Sequence, residues 1–152
     1  MSLKYLRLLF VALIVLAFGS PAFAKRVNHD VTPANIDKLP FTAAIKIKDV
    51  GKIKEFEITI KGIKGDLVNP RHAPSPGGWL EVAQGNTSIV PPGVTKVEKG
   101  GIFTFTFQLK PEQIEGARFA FVEDAEDWNR PFPSNGNYYQ FILREFVAKA
   151  KK

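Results

Sequence analysis

The sequence contains no cysteine, which excludes thiol catalysis, thiolate metal sites and disulfide bonds. Histidine is scarce, with two residues in 152. The longest apolar run, Leu8 to Phe18, has eleven residues and is too short for a transmembrane helix, which needs about 20. Basic residues form no stripe interleaved with aromatics, so nucleic-acid binding is not predicted. Because disulfide bonds and thiolate metal sites are excluded, we expect a domain that is stabilised by the packing of its own core.

The first 24 residues have the three regions of a secretory signal peptide. Lys4 and Arg7 give a positive start, and the apolar run follows. Residues 19–21 then break the helix that the run would form, and the segment ends in the small-x-small pattern of residues 22–24. We expect cleavage after Ala24, export to a periplasm or the extracellular space, and no stable membrane anchor.

Removal of the signal peptide leaves 128 of the 152 residues, the size of a single domain. This part carries 19 basic and 15 acidic residues, and the charges are interspersed, as on a solvated surface. The predicted organisation is an N-terminal extended segment (25–40), a β-sandwich domain (41–148) and a basic tail (149–152).

Apolar and polar residues alternate with a period of two through the predicted domain, which is typical of half-buried antiparallel strands. Residues 41–48 and 55–61 follow this pattern on either side of a turn-like sequence, residues 49–52. If those four residues form the loop, Lys48 pairs with Ile53, apolar residues face apolar residues, and lysine faces glutamate. The sequence therefore predicts a β-hairpin.

Further predicted strands are punctuated by glycine and proline, and no segment shows a convincing amphipathic helix. They are Trp79–Ala83, Thr87–Val90, Ile102–Lys110, Ala117–Glu123 and Tyr138–Val147. About seven short strands of this kind predict an all-β fold, a single antiparallel β-sandwich.

The segment Leu109 to Phe119 resembles the E-to-F connection of immunoglobulin-like domains, in which a Leu-x-Pro turn leads into a strand bearing an aromatic residue. The resemblance implies that the last three predicted strands correspond to strands E, F and G. Phe119 stands where those domains have a tyrosine, and the Cys…Trp…Cys spacing of antibody domains is absent. Immunoglobulin-like sandwiches mostly bind, adapt or space, so the resemblance implies a non-catalytic role.

Two segments contain candidate binding residues. Trp128, Arg130 and Phe132 lie in the long connection between predicted strands F and G, and aromatic residues beside arginine are typical of binding hot spots. The aromatic residues could instead plug one end of the sandwich. Arg71 and His72 lie in a Pro/Gly-rich segment that could present them to a partner, or that could simply cross between the two sheets.

Metal binding has weaker candidates. Glu123, Asp124, Glu126 and Asp127 are a dense cluster of carboxylates, but they lack the alternating order of a dedicated calcium loop. His29, close to the predicted cleavage site, is interpreted as part of a mobile polar terminus. No metal or other cofactor is predicted.

These features predict an exported, non-catalytic β-sandwich protein, a binding or accessory module that contacts an envelope protein or a carbohydrate through loops at one end. One alternative is a metal-dependent accessory protein or enzyme that uses residues 123–129 or His72. Another is a structural assembly subunit that pairs with neighbours through exposed strand edges.

Overall fold

The computed structural model describes residues 25–63, 68–69, 75–76, 78–89, 94–123 and 136–152. These residues form two β-sheets that pack face to face, and the predicted all-β sandwich is confirmed. Neither α-helix in the described ranges is long and apolar enough to cross a membrane.

The described chain contains eleven strands, two α-helices and one 3-10 helix (Ile36–Lys38). The strands are β1 (Val27–Val31), β2 (Thr42–Val50), β3 (Ile53–Lys61), β4 (Val68–Asn69), β5 (Ser75–Pro76), β6 (Gly78–Gln84), β7 (Thr87–Ile89), β8 (Thr95–Lys99), β9 (Ile102–Leu109), β10 (Ala117–Glu123) and β11 (Asn137–Ile142). The α-helices are α1 (Pro111–Ile114) and α2 (Leu143–Ala150).

The strand order is β1-β11-β10-β6-β7 in the five-stranded sheet and β2-β3-β9-β8 in the four-stranded sheet, and β4 pairs with β5 separately. β9 and β10 therefore lie in different sheets, and β10 pairs antiparallel with β11. This is the placement of strands E, F and G in immunoglobulin-like sandwiches. One pair departs from the predicted antiparallel arrangement, because β1 runs parallel to β11.

The core is built from the alternating apolar residues of both sheets and is rich in phenylalanine. Phe56 stacks on Phe107, with ring centroids 5.3 Å apart, within the four-stranded sheet. Phe107 in turn stacks on Phe119 of the other sheet at 5.7 Å. β10 is buried on both faces, since Ala120 and Val122 on its outer side are 3% and 0% exposed. The five-stranded sheet is thus covered on both faces at β10, its central strand.

The predicted β2–β3 hairpin forms, but its predicted register is wrong by two residues. Val50 pairs with Ile53, and Lys48 pairs with Glu55. The turn consists of two residues, because Gly51 adopts a positive φ of 62° that suits a tight hairpin turn. A shift of two residues preserves the faces of both strands, so the predicted core residues remain correct.

The chain after Ile142 is helical, so the predicted strand through Val147 and the predicted absence of an amphipathic helix are wrong. Leu143, Phe146 and Val147 are spaced three and four residues apart, and in α2 they lie on one buried face. The helix packs against β10 and β2. It therefore covers one side of the space between the sheets.

Candidate functional site

The candidate site is the end of the sandwich at which β10 finishes at Glu123, called the Glu123 end below. Asn137, the first residue of β11, pairs there with both Glu123 and Val27. Gly78, the first residue of β6, pairs with Phe121. This end of the five-stranded sheet thus combines the beginnings of β1, β6 and β11 with the end of β10.

The four-stranded sheet contributes the start of β2, the end of β3 and the start of β9 to the same end. Lys61 pairs with both Thr42 and Ile102. The ring of Phe41, one residue before β2, contacts Phe121 and Tyr139 of the opposite sheet, with centroids 5.3 and 4.7 Å apart. These edge-on contacts fix the two sheet ends relative to each other.

This topology brings both predicted binding segments to one end. The connection from β3 to β6 leaves the sandwich after Lys61 and returns at Gly78, and within it β4 and β5 pair antiparallel. The connection from β10 to β11 leaves at Glu123 and returns at Asn137. All four of these strand termini are at the Glu123 end, so the two connections share one end of the scaffold.

The predicted binding residues themselves, Trp128, Arg130, Phe132, Arg71 and His72, lie outside the described residues. The described structure therefore gives the strand ends that flank these residues and not the residues themselves.

Sequence reasoning missed the contribution of β1 to this end. His29, interpreted as part of a mobile terminus, lies instead within β1. Its ring stacks on Tyr139 with centroids 4.8 Å apart and 16° between the planes. Its Nε2 is 3.1 Å from Oδ1 of Asn137, a geometry in which Nε2–H donates to the amide oxygen. The alternation of Val27, His29 and Val31 was the signal for a strand.

On the other face of the sheet, the guanidinium of Arg26 lies 3.8 Å from the ring centroid of Tyr138, a cation–π contact. The Nε of Arg26 also donates to Oδ1 of Asn28 at 2.8 Å. Tyr138 is fully buried. Burial raises the pKa of its phenol above the usual 10.0, and the Arg26 charge partly offsets this effect. The arginine thus anchors the start of β1 on an aromatic surface.

This burial predicts how stability depends on alkaline pH. Because the folded state raises the pKa of Tyr138, folding favours the neutral phenol. Its contribution to stability is complete below the unfolded pKa of about 10 and is lost as the pH rises through the higher folded pKa. We expect the difference in tyrosinate absorbance between the wild type and Tyr138→Phe to give a midpoint above 10.0. A midpoint at or below that value would contradict the burial of this hydroxyl.

A polar cluster extends across the outer face of the five-stranded sheet. Arg118 of β10 donates from Nε to Oε2 of Glu81 at 3.0 Å and from Nη1 to Oε1 of Gln140 at 3.2 Å. Arg118 is partly exposed, whereas Gln140 is 8% exposed. The guanidinium therefore ties the three neighbouring strands β6, β10 and β11 together and holds a charged pair on this face of the sheet.

The described residues do not test the metal alternative. Glu123 is buried at the end of β10, 8% exposed, while Asp124, Glu126, Asp127 and His72 lie outside the described residues. Within the described ranges, no three His, Asp or Glu side chains come together in a group that could hold a metal ion.

The chain was compared with known proteins at three levels. No protein-family model matches it, and it has no match among curated proteins or among solved structures.

Proposed function

We propose that this chain is an exported, non-catalytic binding module that contacts an envelope protein or a carbohydrate through the Glu123 end of its sandwich. The observation that carries the proposal is the shared end of the two connections, residues 62–77 and 124–136. Loops that connect strand termini at one end of a β-sandwich are common positions for binding residues.

The composition of these two connections supports binding. The connection between β10 and β11 contains Trp128, Arg130 and Phe132, residue types that dominate interface hot spots. The other contributes Arg71 and His72. Indole and phenyl rings supply apolar contact area, and arginine donates to carboxylate, carbonyl or sugar oxygens. This mixture suits a polar partner surface that has apolar patches.

Aromatic packing holds the strand termini below these connections, which favours recognition. Phe41, Phe121 and Tyr139 form an aromatic layer between the sheets at the Glu123 end, and His29 stacks on its edge. Strand termini held by such a layer do not need to be ordered when a partner binds, so less conformational entropy is lost.

Position-specific photo-crosslinking in the protein's own compartment tests this proposal. A photoreactive residue is placed at Arg130, and the matched control carries it at Lys52, in the β2–β3 turn at the opposite end of the sandwich. We expect a discrete adduct, identified by mass spectrometry, from position 130 and none from position 52. The intact mass of the same preparation checks cleavage after Ala24. Equal adducts at both ends would contradict a specific site.

Trp128→Ala separates a binding role from a core role. In a binding hot spot, this truncation costs about 2 kcal/mol or more, a loss of roughly 30-fold in affinity. We expect the adduct at position 130, or binding to a sugar found on a glycan array, to disappear while the melting temperature changes little. A drop in melting temperature of about 10 °C or more would assign Trp128 to the core and remove it from the site.

A further inference from the structure

β2 is the edge strand of the four-stranded sheet. It pairs with β3 along all nine of its residues, and no strand in the described part of the chain pairs with its other side. An edge strand presents a row of backbone N–H and C=O groups that can pair with a further strand. The register with β3 has no bulge, so the edge is continuous over the nine residues of β2.

The inward face of β2 is incompletely covered. Its core-facing side chains are half-buried, whereas their partners on β3 are fully buried. The β2 residues are Ala43, Ile45 and Ile47, and their respective partners on β3 are Ile60, Ile58 and Phe56. The β2 side chains line a groove of about 470 Å³ between β2 and α2, whose far wall includes Phe146 and Ile36. The groove therefore offers apolar positions at the two-residue spacing of a strand.

Charge on the outward face selects the occupant. Lys46 is 80% exposed and forms a salt bridge of 3.3 Å to Glu57 of β3, and Lys48 faces Glu55. Lys149 lies beside the groove. An acidic residue on an added strand would lie beside Lys46 or Lys48 and attract it. Each lysine would then have a glutamate of β3 on one side and an acidic residue of the added strand on the other. A second copy paired symmetrically about the centre of β2 would instead place Lys46 opposite Lys46, which is unfavourable.

We propose that the β2 edge binds an extended acidic segment of a partner protein as an added strand. Alternate apolar side chains of that segment enter the groove beside Ile45 and Ile47, and its acidic side chains face Lys46 and Lys48. Backbone hydrogen bonds supply affinity, and the groove and the lysines supply specificity, as in other cases of strand addition. This surface is separate from the two connections of the proposed function and does not depend on them.

Two synthetic peptides probe this edge. One is an end-capped nine-residue peptide, the length of β2, in which valine alternates with glutamate, and in the other valine alternates with lysine. We expect saturable binding of the glutamate peptide at least about tenfold tighter than that of the lysine peptide. Hydrogen exchange should slow in the amides of β2. Failure of the glutamate peptide to bind, equal binding of both peptides, or protection elsewhere would overturn the proposal.

A charge swap completes the test. The double variant Lys46→Glu/Lys48→Glu should reverse the preference and bind the lysine peptide more tightly, provided its thermal unfolding remains cooperative. The control is Lys99→Glu on β8, the opposite edge of the same sheet, which should leave the preference unchanged. An unchanged preference in the double variant would overturn the proposal. So would β2 protection that rises with protein concentration without peptide, since a second copy would then occupy the edge.

Discussion

Replacing Phe119 with alanine is expected to remove a large part of the free energy that stabilises the folded domain. Phe119 is fully buried, and its ring centroid lies 4.9 Å from that of Phe105, 5.7 Å from that of Phe107 and 6.1 Å from that of Phe141. The side chain therefore joins the aromatic residues of both sheets. Truncation of a buried phenylalanine costs about 3–5 kcal/mol, a large part of the roughly 5–15 kcal/mol that stabilises a typical domain.

Chemical denaturation of the variant and the wild type measures this loss. The matched control is Val97→Ala, because Val97 is an apolar residue that is 56% exposed on an edge strand. We expect its free energy of unfolding to change by less than about 0.5 kcal/mol. A loss below about 1 kcal/mol for Phe119→Ala would mean that the sheets do not pack through this ring.

The position of Phe119 also explains one departure from the immunoglobulin-like pattern. Immunoglobulin-like domains have a tyrosine at this place, and its hydroxyl forms a hydrogen bond with the backbone. Here the ring stands among three other phenylalanines, so a hydroxyl in the same orientation would lose its hydration. Period-two alternation was sufficient to predict that this residue faces the core, because alternation depends on local backbone geometry alone.

Register and long-range pairing could not be predicted in the same way. The turn composition of residues 49–52 suggested a four-residue loop, yet Gly51 allows a two-residue turn and the strands continue through Asp49 and Val50. β1 is near the start of the described chain, and its partner β11 is near the end of the sequence. No local pattern in a five-residue strand indicates a partner so far along the chain, so His29 was assigned to a polar terminus.

For the candidate site, too, one part could be predicted from the sequence and another could not. Composition alone singled out Trp128, Arg130 and Phe132 and, separately, Arg71 and His72. The strand order shows that the two groups belong to connections at the same end of the sandwich. This order could not be predicted from the sequence. Local chemistry thus predicted the candidate residues, and topology supplied the relation between them.

Helix α2 is the element for which local pattern reading failed. Tyr139 and Phe141 alternate as strand residues should, and continuing the same period of two through Leu143 suggested a strand. The following apolar residues, Phe146 and Val147, are spaced from Leu143 as on a helix. The change of period at residue 143 was visible, but the window after it is short, and an eight-residue helix depends on tertiary packing for most of its stability.

A chain that ends at Ile142 is expected not to fold. It loses Leu143, Phe146 and Val147, which are 0%, 5% and 7% exposed, and it uncovers β10. Burial of three such side chains contributes roughly 5–9 kcal/mol, which is similar to the whole stability of a small domain. Circular dichroism and limited proteolysis of the truncated protein should show loss of cooperative unfolding and rapid digestion.

The matched control is a chain that ends at Ala150, which lacks only the exposed Lys151 and Lys152. We expect it to unfold at the temperature of the full chain, since these lysines bury no apolar surface. If the chain ending at Ile142 also unfolded cooperatively at that temperature, the buried face of α2 would contribute nothing to the core. That outcome is not expected, because α2 packs against both β10 and β2, and its removal would expose apolar residues of these strands to solvent.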